Sequence, residues 1–282
     1  MAEEKRGRLT LVATPIGNLG DISDRAREAL AAADLVAAED TRRSGLLLAH
    51  LGIKKPLISY YQHNEEKREE TLLRRMAEGE NIALISDAGT PGICDPGAAI
   101  LRAAVAEGLD VDAVPGCCAA VQALVLSGLN TDRFVFEGFL PRGNARRPYL
   151  QNLAREERTL VFYEAPHRLR ESLRDLLAAF GGARRIAVCR ELTKKFQEVQ
   201  RGTLEELCGL WQKREPKGEF VLVLAGAEPA AKAEISEEML ADELKRLMQG
   251  GMKHKAAAKE LAARHKLPVS EVYALGLRLK EQ

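Results

Sequence analysis

No Gly-x-Gly occurs anywhere in the 282 residues. The fingerprint of dinucleotide-binding folds and the similar glycine loop of Rossmann methyltransferases are therefore absent. No Gly-Lys pair occurs, which excludes a phosphate-binding P-loop. There is no His-Glu-x-x-His, and the five histidines are dispersed, so no metal is expected. A Gly-x-Ser-x-Gly nucleophile elbow is missing too. Five cysteines (Cys94, Cys117, Cys118, Cys189, Cys208) are an odd count without Cys-x-x-Cys spacing. That argues against a disulfide framework or a zinc knuckle and points to a reducing, cytoplasmic setting. No apolar run approaches the length of a membrane span, and the run at 9–13 is too short for a signal-peptide core. Net charge is +1, so any polyanion must be gripped by local patches rather than by the molecule as a whole.

What remains is a soluble globular composition, 46% hydrophobic and 29% charged, with room for two ordinary domains. The most informative stretch is residues 86–97, Ser-Asp-Ala-Gly-Thr-Pro-Gly-Ile-Cys-Asp-Pro-Gly. An apolar run at 81–85 precedes it and reads as a buried strand; Ala-rich helix spacing follows from 98 to 107. Glycines here permit close backbone approach to a ligand, and prolines stiffen the loop. In an open α/β sheet, ligands bind at the carboxyl ends of strands, where this loop falls.

Other strands are expected at 9–13, 35–38, 57–61 and 111–114. Helices are expected from Ser23 or Asp24 to about 33, at 43–51, from about 65 to 79, and from 119 to 126. Strands alternating with helices predict a mostly parallel sheet covered on both faces. Residues 127–132 are a composition break, so an N-terminal α/β domain is placed at 1–127 and a second at 128–228. In the second, strands are expected at 134–139, 159–163, 185–191, 198–203 and 219–224, with helices at 147–155, 168–180 and 204–214. Neighbouring strands there suggest antiparallel pairing and a mixed sheet. Residues 226–232 read as a linker. The tail, 229–282, reads as three short helices (236–248, 255–264 and 269–280), with Ser270 a candidate N-cap. It resembles a helix-turn-helix, without a glycine in the turn; the alternative is a helical appendage that packs on the body or on a second subunit. Its Lys253, His254, Lys255, Lys259, Arg264, His265 and Lys266 favour nucleic acid.

Several motifs together resemble the tetrapyrrole-methylase superfamily. They are Ala-Thr-Pro-Ile-Gly-Asn-Leu-Gly-Asp at 13–21, Ala-Glu-Asp-Thr-Arg at 38–42, the 86–97 loop, Val-Pro-Gly at 114–116, Tyr-Glu-Ala-Pro-His-Arg at 163–168, Arg-Glu-Leu-Thr-Lys-Lys at 190–195 and Gly-Glu-Phe-Val at 218–221. Within that superfamily they are similar to the bacterial small-subunit ribosomal RNA cytidine 2′-O-methyltransferases. The resemblance implies two α/β domains, S-adenosylmethionine (SAM) folded into the cleft between them, and a homodimer. It implies methyl transfer to the ribose 2′-hydroxyl of a cytidine in the decoding region of 16S ribosomal RNA within the small subunit. Carried over by position, SAM contacts Pro15, Asp87, Ala88, Gly89, Thr90, Ile93, Cys118, Ala119 and Tyr163. Relatives often have Pro or Ser followed by a small residue where this chain has Cys117-Cys118. Cysteine is small and fairly apolar, so adenosine contacts persist there while any hydroxyl hydrogen bond is weakened.

A ribose hydroxyl is a poor nucleophile, so a base or a cation at the developing alkoxide would assist transfer. Candidates are Asp40, Glu164, Glu191 and Lys194, with Glu191 and Lys194 preferred because they extend beyond a strand end. Each has a structural alternative: Asp40 as a helix cap, Glu164 with Arg168 as an ion pair bracing the domain junction, and Glu191 with Lys194 as a solvated loop. RNA would be held by Arg142, Arg146 and Arg147, by Arg42 and Arg43, and by the tail. Two competing readings stay open: a SAM-dependent methyltransferase of a tetrapyrrole or a protein, and a non-catalytic nucleic-acid-binding regulator.

Overall fold

The computed structural model describes residues 6–228, 236–265 and 267–278. The chain divides into two compact units, one through Ala227 and one from Glu228.

The first unit contains two five-stranded sheets. In one, β1 (Arg8–Val12), β2 (Leu35–Ala38), β3 (Leu57–Ser59), β4 (Ile82–Ile85) and β5 (Asp110–Val114) run parallel in the order β3-β2-β4-β1-β5. Side chains alternate between its faces. Leu9, Leu11, Leu35, Ile82 and Leu84 face a core closed by α3 (Glu65–Ala77) and α4 (Ala98–Ala106). Val12, Val36, Ala38, Ala83 and Ile85 face the opposite core, closed by α1 (Asp24–Ala32) and α2 (Thr41–His50). Because both faces are covered, the inner strands read as unbroken apolar runs rather than as alternations. Each fully buried Leu or Ile contributes about 1.5–3 kcal/mol through apolar transfer, and truncating Leu84 to Ala would cost about 2–5 kcal/mol. The edge strand β5 carries charge instead: Arg8 pairs with Asp110 at 2.5 Å and Asp112 at 3.8 Å, which blunts an edge open to pairing.

Helix starts follow their caps. The Ser23 hydroxyl accepts the Ala26 N–H at 3.1 Å. The Asp40 carboxylate accepts the Arg42 N–H at 2.9 Å, so α2 begins at Thr41 rather than at 43.

The second sheet has the order β6-β7-β10-β8-β9, from β6 (Phe134–Phe139), β7 (Thr159–Glu164), β8 (Arg185–Arg190), β9 (Glu198–Thr203) and β10 (Phe220–Leu224). β6 is parallel to β7; every other pair is antiparallel. The mixed sheet expected from the sequence is therefore observed. Phe162, Val188, Leu222 and Leu224 face a core completed by Trp211, beneath α6 (Arg146–Leu153), α7 (Pro166–Phe180) and α8 (Leu204–Lys213). α7 begins at Pro166 rather than at 168, because proline at the first helical position lacks only an N–H that would be unpaired anyway. Val161, Ala187, Cys189, Val221 and Val223 face the other way, onto α5 (Ala119–Ser127). The chain thus crosses from one sheet to the other at residues 115–118, ahead of the composition break at 128, where Gly128 closes α5 in a left-handed turn.

The second unit comprises α9 (Glu237–Gln249), α10 (His254–His265) and α11 (Val269–Arg278) around Leu240, Leu244, Leu261, Val272 and Leu275. Ser270 sits inside the first turn of α11 and is not its cap; the Pro268 carbonyl accepts the N–H of Glu271 at 3.1 Å. Most of the expected linker (229–232), Lys266 and the end of the last expected helix lie outside the described residues.

Candidate active site

Strand ends place the loops. The loops after β1, β4 and β5 emerge at the carboxyl edge of the parallel sheet and meet the end of β7 and the start of β10. Phe220 lies opposite Glu164 in that antiparallel pair. Between them opens a cleft of about 460 Å³, within the range of small-molecule sites.

The loops are tied together by main-chain groups. Thr14 and Gly89 exchange both backbone hydrogen bonds, at 2.9 and 3.0 Å. The Thr14 hydroxyl donates to the Ser86 carbonyl at 3.2 Å, and the Thr90 hydroxyl donates to the Cys117 carbonyl at 3.0 Å. The first turn of α5 is anchored across the cleft, where the Ala120 N–H donates to the Tyr163 hydroxyl at 3.2 Å. Phe136 and Phe139 pack edge-on against the Tyr163 ring, a favourable aromatic geometry. Burial pushes the Tyr163 hydroxyl well above the ordinary tyrosine range.

Of the residues expected to contact SAM, Ala88, Gly89, Thr90, Ile93, Cys118, Ala119 and Tyr163 line this cleft. Pro15 is half-buried beside its lining neighbour Ile16. Asp87 is occupied elsewhere: its carboxylate accepts the Asp40 N–H at 3.0 Å and pairs with Arg43 at 3.1 Å. It holds the ends of β2 and β4 together.

The four catalytic candidates do not converge on one point. Asp40 caps α2 and is held below the usual carboxylate range by hydrogen bonds from Arg42. Glu164 is in the wall of the cleft, but its carboxylate has no exposed surface. It accepts from the Ser172 hydroxyl and the Ala165 N–H and lies 3.4 Å from Arg168 Nε. Arg168 in turn donates to the Leu140 and Pro141 carbonyls. Glu191 and Lys194 do come together. Lys194 Nζ lies 2.9 Å from Glu191 and 2.9 Å from Glu219, and the Glu219 N–H donates to Glu191 at 3.0 Å. Burial alone would raise Glu191, yet Lys194 and the Glu219 N–H hold it below its ordinary value. Burial would likewise lower Lys194, and its two carboxylate partners raise it instead, so it stays charged.

The cleft is also lined by residues the sequence did not single out as site residues, among them Cys94, Asp95, Phe139 and Glu219. Cys94 and Asp95 belong to the 86–97 loop and Glu219 to the Gly-Glu-Phe-Val motif, so their position was visible even though their role was not. Phe139 carried no signal beyond ending a strand.

The expected basic clusters are altered by packing. The Arg146 side chain is only 3% exposed. It donates to the Pro141 carbonyl at 3.0 Å and pairs with Asp175 at 3.0 Å and Glu171 at 3.3 Å, so it is unavailable to a ligand. Arg147 beside it is 83% exposed. In the tail, His265 bonds Glu243 at 2.8 Å and His254 stacks on Tyr273, so both serve packing. Lys253, Lys255 and Lys259 are exposed.

Comparison with known proteins agrees with this geometry. Residues 8–208 match the family described as tetrapyrrole (corrin/porphyrin) methylases. The chain belongs to that family, a class of SAM-dependent methyltransferases. It is 50% identical over 275 residues to the ribosomal RNA small subunit methyltransferase I of Synechocystis, covering 97% of this chain and 99% of that one. A protein of the same name from Thermotoga maritima is 46% identical over 222 residues, covering 79% of this chain and 100% of that one. Among solved structures, a Thermus thermophilus uroporphyrin-III C-methyltransferase complexed with S-adenosyl homocysteine superposes with a TM-score of 0.55 at 21% identity, covering 78% of this chain and 97% of that one. At that identity the likeness establishes the fold.

Proposed function

We propose that this protein transfers a methyl group from SAM to the ribose 2′-hydroxyl of a cytidine in the decoding region of 16S ribosomal RNA. The observation that carries the substrate class is the 50% identity, along nearly both whole chains, to a relative named for the small-subunit RNA. The cytidine and the 2′-hydroxyl rest on the loop motifs described above. The protein acts in the cytoplasm, as a homodimer, on RNA within the small subunit.

The residues in the cleft fit SAM. Ile16, Phe139, Tyr163 and Val221 give an apolar wall suited to adenine, while Glu219 supplies negative charge for the ammonium group. Ala88, Gly89, Thr90, Ile93, Cys118, Ala119 and Tyr163 would hold it directly. Pro15 would shape the neighbouring turn, and Asp87 would brace it through Asp40 and Arg43. When bound, SAM supplies an electrophilic methyl group. The chain's own contribution is alignment, worth roughly 7–11 kcal/mol of such a barrier when the reacting groups are well oriented. Lys194, kept charged at the cleft edge, is suited to an RNA phosphate or a developing alkoxide. Exposed Arg42, Arg43, Arg142, Arg147 and the tail lysines would supply the phosphate contacts.

The test is incubation of small subunits with methyl-labelled SAM, followed by mapping of ribose methylation. Label at one cytidine ribose in the decoding region is expected. Label on a base, on protein or on an added porphyrin instead would overturn the reading.

A further inference from the structure

Three carboxylates line the cleft: Asp95, Glu164 and Glu219. Two of them are committed. Glu164 is sealed from solvent against Ser172 and Arg168. Glu219 is paired with Lys194. Asp95 differs: among the described residues no lysine, arginine or histidine stands within ion-pair distance of it, and its hydrogen-bonding neighbour is the Ser86 hydroxyl.

The backbone around Asp95 is fixed. The Gly92 N–H donates to the Pro96 carbonyl at 3.1 Å and closes the turn. The Gly97 N–H donates to Glu65 Oε1 at 3.3 Å and ties the turn's end to α3. Between them Cys94 is held at φ 62°, a left-handed conformation that persists only where the surroundings enforce it. Its sulfur lies against Gly138 of β6, where a Cβ would come within 2.8 Å of it. The loop therefore clamps an unpaired carboxylate at the opening between the two sheets.

We propose that Asp95 is the general base that takes the proton from the attacking ribose hydroxyl, a role that rests on the cleft being the methyl-transfer site. As the hydroxyl oxygen bonds to the methyl carbon, the carbon–sulfur bond breaks and its electron pair stays on sulfur. The hydroxyl proton passes to the Asp95 carboxylate, which later yields it to water. Such a base works best when its pKa lies close to the working pH while it is still ionised. Burial pushes Asp95 up to about 6; the Ser86 hydroxyl opposes this, and Glu39 and Asp87 reinforce it. The other charged or titratable groups around it are Arg43, held by Asp87, and Glu65 at the start of α3. On the cleft walls are Cys94, Cys118, Tyr163, Glu164, His167 and Glu219. None of these places a cation on the Asp95 carboxylate.

The experiment compares wild type, Asp95→Asn and Asp95→Glu for methyl transfer to small subunits across pH 5–9, with S-adenosylhomocysteine binding followed by calorimetry on the same samples. For Asp95→Asn, kcat should fall by about 10²–10⁴-fold while S-adenosylhomocysteine affinity stays within about threefold. Wild-type log kcat should rise with pH to a bend near 6; Asp95→Asn should lack that limb, and Asp95→Glu should keep it. An infrared carboxyl band titrating near pH 6 in the wild type should be missing in Asp95→Asn. The proposal is overturned if Asp95→Asn keeps kcat within threefold or retains the acid limb, if Asp95→Glu loses that limb, or if affinity and turnover fall together. Asp95 would in that last case hold the cofactor. An unchanged Asp95→Asn beside an active wild type removes Asp95 alone; a wild type that binds S-adenosylhomocysteine yet methylates no RNA removes the functional reading with it.

Discussion

Lys194 lies across Gly17. A Cβ built on Gly17 would come within 2.7 Å of Lys194 Cε, so the lysine stem occupies the space that any side chain at 17 would need. The backbone of Gly17, at φ 153°, is also one that side-chain-bearing residues rarely adopt. The loop after β1 and the loop after β8 thereby touch at the cleft rim.

Gly17→Ala should displace Lys194 from Glu191 and Glu219. We expect roughly a tenfold loss of kcat/KM for RNA, on the order of 1.4 kcal/mol. Combined with Lys194→Ala, it should add little, because the overlapping stem is gone. Steady-state kinetics on the four proteins of this cycle check the coupling; strict additivity would show that the two residues act apart.

Glu164→Gln should act on stability. Breaking a buried, hydrogen-bonded ion pair typically costs about 3–5 kcal/mol, and Glu164 has no exposed side-chain surface. Thermal melting of the variant should fall by several degrees at neutral pH. An unchanged melt with abolished turnover would instead restore Glu164 to a catalytic role.

Asp95 predicts an unusual pH dependence of stability. Its folded-state pKa, about 6, lies above its unfolded value near 3.8. A raised carboxyl destabilises the fold above the folded pKa, and that cost vanishes as pH falls below the unfolded one. Asp95→Asn should therefore melt about 2–4 °C higher than wild type at pH 8, a shift corresponding to about 1 kcal/mol in a protein of this size. The difference should shrink towards pH 4, as scanning calorimetry would record. A variant that melts lower at pH 8 would contradict this.

Arg146 and Arg147 are adjacent in sequence and opposite in use. Arg146→Ala should destabilise the fold, since it strands Asp175 and removes a bond to the Pro141 carbonyl. Arg147→Ala should leave the melt alone and weaken RNA binding, with the salt slope of log affinity reduced by about one contact. Filter binding at several salt concentrations separates the two.

Much of the fold was legible because its strands carry their environment in their composition. The Ile-Ala-Leu-Ile run of β4 is buried on both faces, as its unbroken apolarity indicates. The loop at 86–97, conspicuous in the sequence for its glycines and prolines, lines the cleft. What was hidden depended on partners far along the chain. Nothing in Ala119–Ser127 says that α5 packs on the second sheet, because a helix apolar on most sides suits either. Arg146 looked like a surface cation until Asp175 and Glu171 of α7 were brought beside it. Glu164 at the end of β7 and Asp95 inside the 86–97 loop look alike in the sequence as acidic residues of the conspicuous motifs; only tertiary structure gives one a buried arginine and leaves the other without a cation.

A crystal structure with S-adenosylhomocysteine bound tests the central claim most directly. Density for the ligand is predicted between the Gly89–Ile93 turn and the Tyr163 ring, with the adenine on the apolar wall and Asp95 open towards the sulfur side. Ligand bound elsewhere on the molecule, or a cleft still empty at saturating concentration, would contradict it.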